Sequence, residues 1–150
     1  MVGLMGSGKT TLALKIAKER RALFQSLDGT IKRFNEPVGN LAGYERLMGR
    51  ALDLMFSRAL EALNSGRSVV FDVGRVTWII ELAEAANAKI ELYHFDISPE
   101  ERWRRVQKRN SEKEAGVYHW TMSKEEFDAQ GPHGQLPAPT PELKIIKITE

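Results

Sequence analysis

Near the start of the chain stands Gly3-Leu4-Met5-Gly6-Ser7-Gly8-Lys9-Thr10. It fits G-x-x-x-x-G-K-[ST], a spacing suited to wrapping a backbone around the phosphates of a nucleotide. Small residues at Gly3, Gly6 and Gly8 let successive N–H groups turn toward phosphate oxygens with no Cβ in the way. Lys9 adds a mobile positive charge. Thr10 and Thr11 open a helix, so the Thr10 hydroxyl is placed to ligate Mg²⁺ while the helix N-terminus adds partial positive charge at the same point. The candidate nucleotide-binding residues are therefore Gly3, Gly6, Ser7, Gly8, Lys9, Thr10 and Thr11.

Two acids and an arginine pair complete the candidate chemistry. Residues 22–27 form a short apolar run suited to a buried parallel strand, ending at Asp28-Gly29. An acid at the carboxyl end of such a strand lies on the edge where open α/β sheets bind ligands. The alternative for Asp28 is an Asx-type turn with Gly29 at positive φ. Ser68-Val69-Val70-Phe71-Asp72 is a second buried strand ending in an acid, and behind a phosphate loop that is the pattern of a Mg²⁺-associated carboxylate. Metal candidates are thus Thr10 and Asp72. Further on, Arg102, Arg104, Arg105, Lys108 and Arg109 crowd one helix. Such a run is ordinarily a solvated face. Arg105 and Arg109, however, lie four apart, where like charges repel unless an anion sits between them.

The elements that must position these groups follow from periodicity. A helix from Thr10 to Arg20 carries Leu12, Ala13, Ile16 and Ala17 on one side. Residues 30–43 are weakly patterned and read as a loop or short helical piece, of the kind that closes over a second substrate. Residues 44–64 form a long core helix whose methionines are packing, ended by Asn64-Ser65-Gly66. Residues 78–87 form another helix and residues 89–97 a third strand with Asp96 near its end. Ser98-Pro99-Glu100-Glu101 is a helix start with the residues of a capping box, and Ser123-Lys124-Glu125-Glu126 is a second. Between them, residues 111–122 are polar, contain Gly116 and suit a lid. A proline-rich loop at 131–141 precedes a last strand at 143–149, at or near a sheet edge. Strands alternating with helices imply a mostly parallel sheet covered on both faces, and five strands fit. Only Met1 and Val2 precede Gly3, so the first strand is a stub or lacks its beginning.

Composition narrows the classes. At 150 residues, 42% hydrophobic and 28% charged, the chain is expected to form one globular domain over 1–150 with a buried core. With no cysteine, disulfide frameworks and thiolate metal sites are excluded, and a reducing cytoplasm is the expected setting. No apolar run reaches the length of a membrane span. A net charge of +2 does not argue for nucleic acid. His94, His119 and His133 are too scattered for a metal site.

Together Gly3-Leu4-Met5-Gly6-Ser7-Gly8-Lys9-Thr10-Thr11-Leu12-Ala13, Ser68-Val69-Val70-Phe71-Asp72, Trp103-Arg104-Arg105-Val106-Gln107-Lys108-Arg109-Asn110 and Pro139-Thr140-Pro141-Glu142-Leu143 resemble the small P-loop kinases of the zeta-toxin, chloramphenicol phosphotransferase and polynucleotide kinase group. Most of all they resemble its short bacterial AAA-family ATP-binding members. The resemblance implies a three-layer α/β P-loop NTPase fold with a five-stranded, mostly parallel sheet of order 2-3-1-4-5. It also implies transfer of the γ-phosphoryl of ATP, with Mg²⁺, to a hydroxyl of a small-molecule or nucleotide-type acceptor. Asp28 then matches the acid that activates the acceptor hydroxyl, and Arg105 and Arg109 match lid arginines that clamp phosphates. Polynucleotide kinases carry an arginine three residues after that acid, where this chain has Ile31, so a nucleic-acid acceptor is not favoured. The expected catalytic set is Lys9, Asp28 and Arg105. Another class of function also accommodates the loop: a nucleotide-hydrolysing switch acting on a protein partner. The Asn-Lys-x-Asp guanine signature is absent.

Overall fold

The computed structural model describes residues 1–36, 41–73, 77–112, 122–130 and 136–149. Within them run α1 (Lys9–Glu19), β1 (Leu23–Ser26), α2 (Leu27–Arg33), α3 (Leu41–Asn64), β2 (Val69–Asp72), α4 (Thr77–Ala85), β3 (Ile90–Phe95), α5 (Pro99–Glu112), α6 (Lys124–Asp128) and β4 (Leu143–Ile148). β1 pairs with β2 and β3 with β4, both in parallel, because helical crossovers return the chain to the same end before each new strand begins.

The opening strand expected before Gly3 is reduced to a parallel bridge between Val2 and His94. Val2 N–H donates to the Tyr93 carbonyl at 2.8 Å and Phe95 N–H donates to the Val2 carbonyl at 2.8 Å. On its other side the Met1 ammonium donates to the Phe71 carbonyl at 3.0 Å, and burial pulls its pKa down to about 6. The described strands form two parallel pairs rather than one continuous five-stranded sheet. Where the ladder stops, a cavity of about 520 Å³ opens between Val69 and Phe71 on one side and Glu91 and Tyr93 on the other. None of the residues singled out for chemistry lines it.

Helices cover both faces. Val70 on β2 packs with Ala13, Ile16 and Ala17 of α1, whereas its neighbour Phe71 packs with Met55 and Ala59 of α3 and Leu82 of α4. Adjacent strand residues point to opposite faces, so these two clusters define a layer on each side. Met55 is fully buried, as expected of a packing methionine. Burying a side chain of that size contributes on the order of 1.5–3 kcal/mol.

Several boundaries differ from the expectations. Of the two readings of segment 30–43, loop or short helical piece, the second holds for its first part: α2 takes up Leu27–Arg33, beginning three residues earlier than expected, and α3 already begins at Leu41. Ser26 makes the difference: it is extended and its Oγ accepts the Gly29 N–H at 3.3 Å, capping α2. Gly29 is not among the glycines at positive φ, so the Asx-turn alternative for Asp28 fails. The capping box at Ser123 is made in both directions. The lid expected at 111–122 lies mostly outside the described residues, at 113–121, and so do residues 131–135 of the proline loop. On either side of the lid segment, Asn110 Nδ2 donates to the Met122 carbonyl at 2.9 Å, and Met122 N–H donates to Asn110 Oδ1 at 3.4 Å.

Candidate active site

The phosphate-loop residues form a tight turn between Val2 and α1. Gly6 at φ 81° and Gly8 at φ 94° are both left-handed, a conformation L side chains adopt at a cost of about 1–2 kcal/mol per residue. A Cβ on Gly6 would stand 2.5 Å from the carbonyl oxygen of Arg102, and one on Gly3 would stand 2.8 Å from the Cβ of Phe95. The loop is therefore seated directly on the α5 backbone and on the end of β3. Gly8 is the N-cap of α1, with no side chain over the first-turn amides. Thr11 is exposed in that first turn.

Lys9 lies across the loop, its Nζ donating to the Leu4 carbonyl at 2.9 Å and to Ser7 Oγ at 3.5 Å. Ser7 itself is buried. Desolvation lowers the Lys9 pKa; Asp72 and then Asp28 oppose that shift, and Arg102 adds to it. Both candidate acids thus act on the Lys9 ammonium. Their placement follows from β1 and β2: Ser26 is paired with Asp72, and Asp28 lies two residues past Ser26 in the first turn of α2. Thr10 Oγ1 donates to Asp72 Oδ2 at 2.5 Å, which brings the two expected metal residues together. Among the described residues no group of three or more His, Asp or Glu converges on a point. That donor set suits Mg²⁺, which keeps water and binds through one or two protein groups and phosphate oxygens.

α5 supplies the cations. Arg105 Nη1 donates to the Ser7 carbonyl at 3.2 Å, while its Nε donates to Glu101 Oε1 at 2.6 Å. Glu101 also takes Arg104, and the two guanidinium groups, Arg104 first, hold its carboxyl down to about 2. The charge between neighbouring arginines is thus partly answered from within the helix. Arg109 Nη2 lies 4.0 Å from Met5 Sδ, on the same side of the loop.

Arg102 was not among the expected site residues. It is 7% exposed, its Nη1 lies 3.4 Å from the Met5 carbonyl, and its guanidinium stacks 4.9 Å from the Phe127 ring centre. The signal was present: Arg102 stands four residues before the fully buried Val106, on the apolar stripe of α5, where arginine is out of place.

A sequence profile described as an AAA domain matches residues 1–129. No curated protein matches the chain. Among solved structures, one described as "a putative kinase from chloroflexus aurantiacus j-10-fl" matches with a TM-score of 0.73 at 21% identity. The match covers 99% of this chain and 85% of that one, and the two share an α/β fold.

Proposed function

Because the chain belongs to the AAA-domain family whose profile spans residues 1–129, we propose that it is an ATP- and Mg²⁺-dependent phosphotransferase with a hydroxyl acceptor. The pairing of Thr10 with Asp72, with Asp28 just past the end of the neighbouring strand β1, carries this reading, since one edge then holds a phosphate cradle, a metal carboxylate and a second, separate acid. The finer fold assignment is part of the proposal: five strands in order 2-3-1-4-5, with Met1 and Val2 standing for the first. Their hydrogen bonds to Phe71 on one side and Tyr93 and Phe95 on the other support it.

Lys9 and the loop amides of Gly6, Ser7 and Gly8 bind the phosphate chain. Thr10 and Asp72 hold Mg²⁺, which when bound shields phosphate charge and orients the terminal group. Asp28 accepts the proton of the acceptor hydroxyl as that oxygen bonds to the γ-phosphorus and the bond to the β-phosphate oxygen breaks; ADP leaves. Arg105, held by Glu101, neutralises charge on the transferred group, and Arg109 adds to the clamp. The acceptor is a small molecule or a nucleotide-type compound, recognised by the segment after α2 and by the lid.

The test is transfer from γ-labelled ATP to a panel of hydroxyl-bearing metabolites, antibiotics, nucleotides and oligonucleotides. Lys9→Ala is expected to abolish transfer. Asp28→Asn is expected to leave ATP binding intact and lower transfer by about 10²–10⁴, the range of lost general-base help. Undiminished transfer in folded Lys9→Ala protein would overturn the assignment. ATP hydrolysis that responds only to a protein partner would replace it with the switch.

A further inference from the structure

The phosphate loop is held from one more side, by a residue so far given no role. Met5 N–H donates to Gln130 Oε1 at 3.0 Å, which joins the loop to the chain just past the end of α6. The same carboxamide turns its Nε2 to the Phe127 carbonyl at 3.1 Å, with Met122 Sδ at 3.7 Å. One backbone partner is a donor and the other an acceptor, which fixes which end of the carboxamide faces the loop. Among unbranched side chains of this reach, only glutamine offers an uncharged acceptor and donor together.

α6 is itself firmly placed. Its capping box is complete, and Asn110 of α5 holds Met122 through both atoms of its amide. Met122 and Phe127 are buried in one cluster with Val106 of α5, and the Met5 side chain packs against that cluster. Met5 is thus seated between α5 and α6 by its side chain while its N–H is answered by Gln130. The next residue is Gly6, where the loop first turns left-handed, at φ 81°. Gln130 therefore fixes the chain at the entry to the turn that carries the Gly6, Ser7 and Gly8 amides. Where main-chain N–H groups bind a ligand, order already present in the free loop is order the ligand need not impose.

We infer that Gln130 is a positioning residue for the phosphate site: its carboxamide holds the Met5 N–H so that the loop is formed before a polyphosphate arrives. It acts through the loop backbone and is given no part in the transfer itself. Its role rests on the loop being a phosphate site and is independent of phosphotransfer and of any acceptor.

Calorimetric titration of inorganic pyrophosphate, without metal, into wild type, Gln130→Met, Gln130→Asn, Ser123→Ala and Lys9→Ala tests it. Wild type is expected to bind and Lys9→Ala not. Gln130→Met keeps the length of the side chain but leaves the Met5 N–H without its acceptor, so binding at least about fivefold weaker is expected, the scale of one donor left unpaired. Ser123→Ala is the control for α6: it removes the cap at the other end of the helix and leaves Gln130 in place, so its dissociation constant should stay within about twofold of wild type. Equal weakening in Ser123→Ala and Gln130→Met would make Gln130 a mere prop of α6 and overturn the inference. A spectroscopic signature separates the two as well. In the free Gln130→Met protein the Gly6, Ser7 and Gly8 amide resonances should broaden or double, and they should return to wild-type positions at saturating pyrophosphate; a prop would leave them unmoved. Should Gln130→Met fail to fold, Gln130→Asn decides. It keeps both polar groups on a side chain one methylene too short to span to Met5, so binding at least about threefold weaker is expected and a wild-type constant is disqualifying. Wild type that ignores pyrophosphate would remove the phosphate site and this role with it. Wild type and Lys9→Ala behaving as expected while Gln130→Met binds normally would remove the role of Gln130 alone.

Discussion

At the scale of single residues, Lys9 gives a pH dependence with a definite sign. Burial lowers its pKa from 10.5, so the folded chain favours the neutral amine. Between that lowered value and 10.5 the unfolded chain binds more protons, and stability rises with pH across this window. Phosphate oxygens act in the opposite sense, favouring the ammonium, so polyphosphate binding takes up a proton once the free protein has begun to lose it. Affinity is expected to fall as pH rises through the lowered value, before about pH 10 where an ordinary lysine would begin to titrate. Calorimetry in two buffers of different ionisation enthalpy reads the uptake directly; its absence up to that pH would separate Lys9 from the phosphates. The loop glycines give a second residue-scale prediction. Gly6→Ala combines a left-handed φ with a Cβ 2.5 Å from the Arg102 carbonyl, whereas Gly66→Ala shares the left-handed φ, at 77°, but meets open space. We expect Gly66→Ala to cost about 1 kcal/mol. Gly6→Ala should cost roughly 1–3 kcal/mol more, the added penalty of overpacking. Urea unfolding of the two variants makes the comparison, and equal losses would mean that the loop does not rest on α5.

At the scale of elements, what the sequence disclosed and what it hid follow from how locally each signal is encoded. The phosphate loop, the strand ending in Asp72 and the capping box at Ser123 were legible because each is written in adjacent residues: glycines spaced before a lysine, an apolar run closed by an acid, and a serine three residues before a glutamate. The start of α2 was not, because Asp28-Gly29 is a turn signal when read alone, and the cap by Ser26, three residues before Gly29, instead makes it the first turn of a seven-residue helix. The burial of Arg102 was written more faintly: its neighbours form a charge run, and only its place four residues before Val106 marks the inward side of α5. The cap on α2 matters for chemistry because Asp28 sits in the turn it stabilises. Ser26→Ala is expected to cost about 1 kcal/mol. Once an acceptor is known, it should lower kcat severalfold with little change in KM for ATP, since Lys9 and Thr10 sit on another element. A rise in KM for ATP with kcat unchanged would contradict the assignment of Asp28 to the acceptor side.

At the scale of the whole molecule, the alternation of strands and helices and their parallel pairing were legible from periodicity, but which strands neighbour which was not, because pairing joins residues far apart in the chain. Between the two pairs stand one bridge from Val2 to His94, with its hydrogen bonds on the β3 side, and one bond from Met1 N to the Phe71 carbonyl. The phosphate loop is therefore a principal link between the two strand pairs, touching the end of β3 through Gly3 against Phe95 and the end of β2 through Thr10 and Asp72. A ligand that orders this loop should tighten both pairs at once. Bound nucleotide at a hundred times its dissociation constant stabilises the native state by about 2.7 kcal/mol, available to any opening that breaks the site. Amide exchange in β2 near Asp72 and in β3 near Phe95 is accordingly expected to slow together on addition of ATP, by up to about a hundredfold, with β1 following β2 through their ladder. Lys9→Ala should show neither change. Slowing confined to α1 and β2, with β3 and β4 exchanging as before, would mean that the loop belongs mechanically to one pair alone, and that the contact of Gly3 with Phe95 carries no coupling.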